Sequence, residues 1–319
     1  MGRPNILDIL DAKRVIQRYL PRTPLINYPA LDRLAKARVL VKHENHQPVG
    51  AFKVRGGINL VSRLDESERG RGVISASTGN HGLSVAYAAQ LFKIKARIVV
   101  PEKANPLKVE AMQNLGAQVL SHGSDFDEAR EFAEELARGE GLRYVHSGDE
   151  PLLIAGVGTI ALEILEDAPE VDTIIVPVGG GSGASGACIT TKALNPNIRV
   201  IGVQAERAPA AYRSWKSKTL LEDKMETGAE GLATRVAFAL PQQIMWDLLD
   251  DFILVSEDEI ARAVVLYIEK AHALAEAAGA ASLAGLLKLG DRLFGKTVAL
   301  VLSGGNITTE QLKTVLTFR

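Results

Sequence analysis

Short runs rich in β-branched residues recur along this chain, and segments with helical patterning separate them. Strands that alternate with helices of about ten residues predict crossover connections and mostly parallel sheets, covered by helices on both faces. The pattern therefore predicts an α/β fold. The predicted strands are residues 38–41, 73–75, 96–100, 117–120, 143–145, 173–176, 199–203 and 298–302.

The predicted strands fall into two groups. Four of them lie within residues 72–146 and predict a small sheet of their own. The strands after Thr173 are predicted to join the early strand near Val39 in a second sheet. The sequence thus favours two domains, as the length of 319 residues also does.

One long helix is predicted in the last quarter of the chain. Ser256 and Glu259 have the spacing of a capping box, in which each residue satisfies a backbone N–H of the other. The Ala-rich segment that follows predicts a helix to about Ala278, packed beside the second sheet.

Loops rich in Gly, Ser and Asn follow three of the predicted strands, at residues 77–82, 179–183 and 303–306. The loop at 179–183 precedes a predicted helix, so its N–H groups and the positive end of the helix dipole favour a phosphate. The loop at 77–82 offers a second set of donors, which suits a carboxylate. Together the loops predict two anion sites.

Lys53 lies between Phe52 and the pair Gly56-Gly57 in the run Gly-Ala-Phe-Lys-Val-Arg-Gly-Gly. This setting allows an ordered, partly desolvated amine. Desolvation lowers the pKa of a lysine and suits it to imine formation and proton abstraction.

The same phosphate loop also fits a dinucleotide-binding pattern. Gly181, Gly183 and Gly186 have the G-x-G-x-x-G spacing, and Glu206 follows 20 residues after Gly186, where a ribose-binding acid would lie. On this loop alone, an NAD-dependent dehydrogenase stays an alternative.

Composition excludes several other classes of function. The net charge of −1 gives no basic field for nucleic acid, and no segment reaches the roughly 18 apolar residues of a membrane span. Cys188 is the only cysteine, so an intrachain disulfide is impossible and a cytoplasmic location is expected.

Spaced motifs along nearly the whole chain resemble the fold type II pyridoxal phosphate enzymes, and within them the threonine and serine dehydratase group that includes serine racemase. These enzymes are tryptophan synthase β-like, with two open twisted, mostly parallel sheets, flanking helices and the cofactor in the interdomain cleft. The resemblance implies a large cofactor-binding domain at residues 1–67 and 148–319 and a small substrate-carboxylate domain at 68–147. The matching motifs are Arg22-Thr23-Pro24-Leu25, Lys42-x-Glu44, Gly50-x-Phe52-Lys53-x-Arg55-Gly56, Gly79-Asn80-His81, Pro177-Val178-Gly179-Gly180-Gly181, Glu230-Gly231, Glu276-x-x-Gly279 and Ser303-Gly304-Gly305-Asn306.

The resemblance also implies roles for individual residues. Lys53 would be the Schiff-base lysine, Phe52 a neighbour of the cofactor ring, Asn80 the partner of the ring hydroxyl and Ser303 the partner of the pyridine nitrogen. Glu276 is expected among the cofactor-binding residues. The phosphate would be held by Gly179, Gly180, Gly181, Ser182 and Gly183, and the substrate by Ser77, Thr78, Gly79, His81 and Thr234, of which Ser77 and Thr78 are also candidate catalytic residues.

The activity that the resemblance implies is elimination. A β-hydroxy amino acid such as L-threonine or L-serine would lose its Cα proton to Lys53 and its β-hydroxyl, and then be released as a 2-oxo acid and ammonia. A neutral Ser303 hydroxyl, unlike an Asp, does not enforce protonation of the pyridine nitrogen, which favours prompt elimination. The family further implies a homodimer or homotetramer.

Several positions depart from the family pattern. Val49 and Ala51 replace the usual Thr and Ser before Phe-Lys, so hydroxyls near the imine are missing. Thr78 stands where serine racemase has a Ser, and its methyl group makes racemisation a secondary expectation. Gln204 and Ala210 replace two carboxylates of a divalent-metal site, so no metal is expected there.

Alternatives within the same fold stay open on the sequence. A serine- or aspartate-type racemase is one of them. Arg235, close to Thr234, would suit the extra carboxylate of a hydroxyaspartate ammonia-lyase, although a structural or surface role for this Arg is favoured.

Overall fold

The computed structural model describes residues 2–124 and 126–317. The strands are β1 (Leu25–Asn27), β2 (Arg38–His43), β3 (Val73–Ala76), β4 (Ala96–Val100), β5 (Gln118–Ser121), β6 (Arg143–Tyr144), β7 (Thr173–Pro177), β8 (Arg199–Ala205), β9 (Asp251–Val255) and β10 (Thr297–Leu302). The α-helices are α1 (Ile6–Ile16), α2 (Pro29–Ala35), α3 (Lys53–Val61), α4 (Glu66–Arg71), α5 (Asn80–Leu91), α6 (Pro106–Asn114), α7 (Phe126–Glu140), α8 (Pro151–Asp167), α9 (Ser182–Leu194), α10 (Ala210–Ser217), α11 (Ala239–Leu248), α12 (Glu257–Ala271), α13 (Ala277–Leu289) and α14 (Thr309–Thr317).

The larger sheet has six strands in the order β1-β2-β10-β7-β8-β9. All neighbours are parallel except β1, which pairs antiparallel with β2 at the edge. The predicted union of the early strand with the late ones is therefore confirmed. The sequence patterns missed β1, which has only three residues, and β9, which begins at the second of two successive aspartates.

The smaller sheet has four parallel strands in the order β5-β4-β3-β6. Its strands lie between Val73 and Tyr144, so the prediction of a separate sheet from this block is confirmed. The domain limits at residues 67/68 and 147/148 stay a prediction, and Met1, Phe318 and Arg319 of the larger predicted domain lie outside the described residues.

Alternating side chains of the larger sheet pack into two different cores. Along β10, Val298, Leu300 and Leu302 join one cluster of buried residues, while Ala299 and Val301 join the other. A period of two is expected when successive side chains point to opposite faces of a strand. Since both faces are covered by helices, the central strands β7 and β10 are almost wholly apolar, which made them recognisable in the sequence.

The predicted helix from residue 256 to about 278 is two helices. The capping box at its start is confirmed, because the side chains of Ser256 and Glu259 each accept a backbone N–H of the other residue. However, α12 ends at Ala271, His272 adopts a left-handed conformation with φ of 51°, and α13 begins only at Ala277. The prediction of one helix to Ala278 was wrong because no Gly or Pro marks the break.

The break between these helices positions a site residue. It lets the N–H of Glu276 donate to the carbonyl of Gly304 at 3.1 Å, next to the end of β10.

Of the helices described, none is long and apolar enough to cross a membrane.

Candidate active site

A cavity of about 820 Å³ lies where loops from both sheets meet. The loops after β3, β7 and β10 all leave the carboxyl ends of parallel strands, which is where open α/β sheets bind ligands. The structure brings every predicted site residue to the wall of this cavity: Phe52, Lys53, Ser77, Thr78, Gly79, Asn80, His81, Gly179, Gly180, Gly181, Ser182, Gly183, Thr234, Glu276 and Ser303.

Lys53 is the first residue of α3 and directs its amine into the cavity. Its Nζ donates hydrogen bonds to the carbonyl of Ser147 at 2.8 Å and to Oγ of Ser182 at 3.0 Å. Burial lowers the pKa of Lys53 from 10.5 to about 8, because the ammonium loses its hydration in the protein interior. The amine is therefore a usable base and nucleophile near neutral pH.

Two contacts hold the backbone around Lys53. The N–H of Phe52 donates to the carbonyl of Ser303 at 2.9 Å, and Oγ of Ser84 on α5 donates to the carbonyl of Lys53 at 2.6 Å. These bonds join α3 to the end of β10 and to α5. The lysine is thus fixed to the elements that carry the other loops.

The loop from Gly179 to Gly183 is pressed against neighbouring atoms and leaves no room for a side chain at Gly179 or Gly180. A Cβ on Gly179 would lie 2.2 Å from the carbonyl oxygen of Gly231, and one on Gly180 would lie 2.3 Å from the ring of Phe238. Gly181 has φ of 90°, in the left-handed region that favours glycine. The loop then opens α9, whose first amides have no partner within the helix and face an anion site.

The loop after β3 is shaped by Ser77. Its Oγ accepts the N–H groups of Gly79 at 3.1 Å and Gly82 at 2.8 Å, which turns the chain into α5. The hydroxyl of Ser77 therefore serves the loop itself. The first amides of α5, from Asn80 and His81, belong to the set that a helix leaves without internal partners.

His81 is buried and faces the protein backbone. Its Nε2 lies 3.2 Å from the carbonyl of Val145, a geometry that makes Nε2 the donor. Burial, and then the nearby charge of Lys53, lower the pKa of His81 to about 3. The imidazole is neutral near pH 7, so it brings no positive charge to a substrate carboxylate.

Asn80 belongs to a short chain of side-chain hydrogen bonds. Its Nδ2 donates to Oε1 of Glu276 at 2.7 Å, and its Oδ1 accepts from Nδ2 of Asn306 at 2.8 Å. Burial raises the pKa of Glu276 to about 7, partly offset by Lys108 and by Asn80. Glu276 and Asn306 together fix the orientation of the Asn80 amide, with Nδ2 toward Glu276 and Oδ1 toward Asn306.

Comparison with known proteins identifies the chemistry for which these residues are arranged. Residues 16–304 match the family model described as "Pyridoxal-phosphate dependent enzyme". The chain belongs to this family. Its cofactor is therefore pyridoxal phosphate, and the family assignment decides against NAD for the glycine-rich loop.

Individual relatives cover almost the whole chain. L-threonine ammonia-lyase from Thermotoga maritima is 40% identical over 310 residues, which are 97% of this chain and 77% of the relative. The crystal structure of serine racemase from Dictyostelium discoideum is similar with a TM-score of 0.91 and 35% identity, covering 96% of this chain and all of that one. The processed form of threonine deaminase isoform 2 from Solanum lycopersicum gives a TM-score of 0.93 and 30% identity, covering 97% and 91%. The predicted family and fold class are confirmed.

The donor set of the cavity fits pyridoxal phosphate. The backbone amides at the start of α9 and the hydroxyl of Ser182 suit the phosphate, and the Lys53 amine lies beside them. Phe52 borders the same space, since a Cβ on Gly183 would lie 3.3 Å from its ring. Ser303 presents a neutral hydroxyl at the end of β10.

Three residues that contact the site were missing from the sequence prediction, Lys108 and Glu230 on the cavity wall and Asn306 against Asn80. Lys108 and Glu230 form an ion pair across the cavity wall, and Asn306 completes the hydrogen bonds of Asn80. Glu230 and Asn306 appear in the quoted motifs, but Lys108 stands in no motif and is separated from Glu230 by 122 positions. No local pattern announces such a pair.

A second group of charges lies buried behind Lys53. Arg55 contacts both Glu44 and Glu163, with Nε and NH1 distances of 2.8 and 2.7 Å, and Lys42 contacts Glu163 at 2.6 Å. Burial alone would raise the pKa of both carboxyls, yet the two cations hold it below its usual value. Thr23 donates to Glu44 at 2.6 Å and completes the group.

No group of three or more His, Cys, Asp or Glu side chains within residues 2–124 and 126–317 is arranged to hold a metal. His43 and His46 lie with their rings stacked 4.8 Å apart rather than converging on a common point. Oε1 of Gln204 on β8 accepts the N–H of Tyr212 at 2.9 Å, so this amide is engaged by the first turn of α10.

Proposed function

We propose that this chain is an ammonia-lyase that converts a β-hydroxy amino acid, L-threonine or L-serine, to a 2-oxo acid and ammonia. The observation that carries the proposal is the Lys53 amine, with its pKa lowered to about 8, at a cavity shared by two helix N-termini. The L-threonine ammonia-lyase of Thermotoga maritima, 40% identical over 97% of this chain, supports threonine as the substrate.

Four groups of residues would hold the cofactor. Lys53 would bind it through its amine, and residues 179–183 would bind its phosphate. Asn80 and Ser303 would meet the polar atoms of its ring, with Phe52 alongside. Glu276 would act through Asn80, whose amide it orients from 2.7 Å. Bound pyridoxal phosphate supplies an electron sink for the negative charge that develops at Cα.

The substrate carboxylate would be held by the loop after β3. The hydroxyl of Thr78 and the first amides of α5, from Asn80 and His81, are its donors, and the helix dipole adds to their attraction for an anion. Because the pKa of the His81 imidazole is about 3, this residue contributes through its backbone and not through a charge. Ser77 keeps the loop in shape. Thr234, also on the cavity wall, would lie nearer the substrate side chain.

Lys53 is the group that would remove the proton from Cα. A pKa of about 8 lies close to neutral pH, so a usable fraction of the amine is unprotonated there and can take a proton and later return it, which is the range where general bases are efficient. Departure of the β-hydroxyl as water, and its return on hydrolysis, leave the 2-oxo acid and ammonia. For threonine these products contain all the atoms of the substrate.

Ser303 favours elimination over slower reactions. A neutral hydroxyl offers one hydrogen bond to a ring nitrogen but no negative charge to keep that nitrogen protonated. The ring then withdraws electrons less strongly, so a carbanion that expels a leaving group at once is served better than one that must persist.

Racemisation is the second candidate, favoured by the likeness to the serine racemase of Dictyostelium discoideum at 35% identity. It needs a proton donor on the face opposite Lys53. The hydroxyl of Thr78 is a weak acid and carries a methyl group, so we expect it to serve this step poorly. Chiral analysis of residual serine would detect any D-enantiomer.

A panel of amino acids tests the proposal. The purified holoenzyme is given L-threonine, L-serine, D-serine and threo-3-hydroxyaspartate, and 2-oxo acid and ammonia are measured in parallel. We expect equal amounts of both products from threonine or serine, and none from a Lys53→Ala variant. Release of neither product from any of these amino acids by cofactor-loaded protein would refute the proposal.

A homodimer or homotetramer is also proposed by analogy with the family, and a cytoplasmic location from the single cysteine, Cys188. Light scattering on the eluting holoenzyme would measure the oligomeric state, and a monomer at micromolar concentration would refute the first of these.

A further inference from the structure

The ion pair between Lys108 and Glu230 joins parts of the chain that belong to different sheets. Lys108 lies on α6, which packs against α5 and β5 of the smaller sheet, whereas Glu230 begins the short 3-10 helix Glu230–Leu232 beside α13. Gln311 on α14 donates Nε2 to Oε1 of Glu230 at 2.7 Å. Lys108 therefore holds one oxygen of this carboxylate and Gln311 holds the other.

The ammonium of this pair lies beside the loop that we assign to the substrate carboxylate. A Cβ on Gly79 would be 3.5 Å from Nζ of Lys108, and both residues line the cavity. Only 8% of Lys108 is exposed, so its charge is shielded little by solvent. An unpaired ammonium at this place would attract a second carboxylate on the substrate.

Lys108 faces two carboxyl groups already. Glu230 contacts Lys108 directly. The charge of Lys108 also lowers the pKa of Glu276, against the effect of burial. The positive charge beside Gly79 is thus matched within the protein. A dicarboxylic substrate would bring its second negative charge against Glu230, and like charges at close range disfavour binding.

We propose that the Glu230–Lys108 pair is a specificity device that makes the site accept amino acids with an uncharged side chain and reject those with a second carboxylate. The inference rests on the proposed function, because it concerns the side-chain end of the same substrate site. Lys108 and Glu230 act on substrate choice through charge.

Succinate and butanoate are suitable probes for this pair. Succinate is aspartate without its amino group, and butanoate has the same number of carbons with a single carboxylate. Binding of each to the holoenzyme is followed by the visible absorbance of the cofactor. Because binding needs no turnover, the result is independent of whether threonine is the true substrate.

The central variant is Glu230→Gln, which keeps an oxygen for Lys108 and removes the negative charge. We expect it to bind succinate at least about tenfold more tightly than the wild type, equivalent to about 1.4 kcal/mol, with butanoate changed less than about twofold. The gain is kept moderate because 41% of the Glu230 side chain is exposed and its charge is partly screened. Glu230→Ala should give the same direction if the first variant is poorly folded.

Two controls make the outcome specific. Lys108→Met combined with Glu230→Gln should remove the gain in succinate binding, because the freed cation is gone. Gln311→Leu, which deletes the other hydrogen bond to Glu230 and keeps both charges, should bind succinate as the wild type does.

Unchanged succinate binding in both Glu230 variants would overturn the inference, as would a gain that survives the loss of Lys108. An enzyme that deaminates threonine but shows either result would retain the proposed function and lose only the specificity device.

Discussion

Lys53 shows how far a single residue can be understood from sequence. Its neighbours Phe52 and Gly56-Gly57 suggested an ordered, partly desolvated amine. The structure adds the acceptors that hold Nζ, the carbonyl of Ser147 and the hydroxyl of Ser182, which lie 94 and 129 positions away. Such partners become neighbours of the lysine only when the chain folds, so the sequence around Lys53 does not predict them.

The lowered pKa of Lys53 predicts the pH dependence of cofactor attachment. Only the unprotonated amine reacts, and burial lowers the pKa from 10.5 to about 8. After removal of pyridoxal phosphate, the rate at which the visible absorbance returns should rise about tenfold per pH unit below 8 and level off above it.

The matched control is Nα-acetyl-lysine amide, whose amine keeps its ordinary pKa and whose rate should continue to rise beyond pH 9. If the protein and this control had the same pH profile, the amine would not be desolvated as the structure indicates.

The glycines of the phosphate loop differ in what a substitution would do. Gly179→Ala places a methyl group 2.2 Å from the carbonyl oxygen of Gly231, so the loop must move. We expect cofactor affinity to fall at least about tenfold and the free energy of unfolding to fall by about 1–3 kcal/mol. Equilibrium dialysis and urea unfolding measure the two effects.

Gly139→Ala is the control, because a Cβ there meets nothing within 4 Å and the residue lies in α7. It should leave cofactor binding unchanged and be neutral or stabilising, since Ala favours a helix. Cofactor affinity that survives Gly179→Ala would remove this loop from the phosphate site.

At the scale of elements, a buried group of four charged residues connects one strand and two helices. Its members are Lys42, Glu44, Arg55 and Glu163. Arg55 is on α3, Glu44 follows β2 and Glu163 is on α8. Burial alone would lower the pKa of Arg55, but its contacts with the two carboxylates raise it above its usual value. The group fixes how α3 sits against the larger sheet and so how Lys53 enters the cavity.

Arg55→Leu should therefore be strongly destabilising. It leaves Glu44 and Glu163 buried with Lys42 as their remaining cation in the group, and loss of one partner from a buried ion pair costs about 3–5 kcal/mol. Urea unfolding of the variant is compared with Arg38→Ala, which breaks an exposed pair with Glu170 and should cost far less stability.

Equal costs for the two variants would mean that the buried group contributes no more than a surface pair.

Acid should also weaken the stabilisation that the same group provides. Because the pKa of Glu44 and Glu163 is lowered in the folded protein from 4.5, their stabilisation is present above about pH 4.5 and is lost as pH falls further.

Which elements could be predicted follows from their burial. Strands such as β7 and β10 are covered on both faces, so their composition is continuously apolar and easily recognised. The edge strand β1 is short and half-buried, and carries a weak signal. The break between α12 and α13 places the N–H of Glu276 against the distant Gly304, a contact that no local pattern predicts.

For the whole molecule, the two groups of predicted strands match the two sheets, because each sheet is built from strands close in sequence apart from the early β1 and β2. The loops that carry the candidate site were also recognisable, since each follows a strand and is rich in Gly and Ser. Contacts that cross between the sheets, such as the pair of Lys108 with Glu230, depend on how the sheets are set against each other. In the sequence, Lys108 and Glu230 cannot be distinguished from ordinary charged surface residues.

The central claim is that loops from both sheets converge on Lys53 to hold pyridoxal phosphate. Reduction of the holoenzyme with borohydride, followed by peptide mass analysis, tests it most directly. The account predicts a bleached visible band and the reduced cofactor mass on the peptide that contains Lys53, at one per chain. A cofactor mass on any other lysine, or none after full loading, would contradict it.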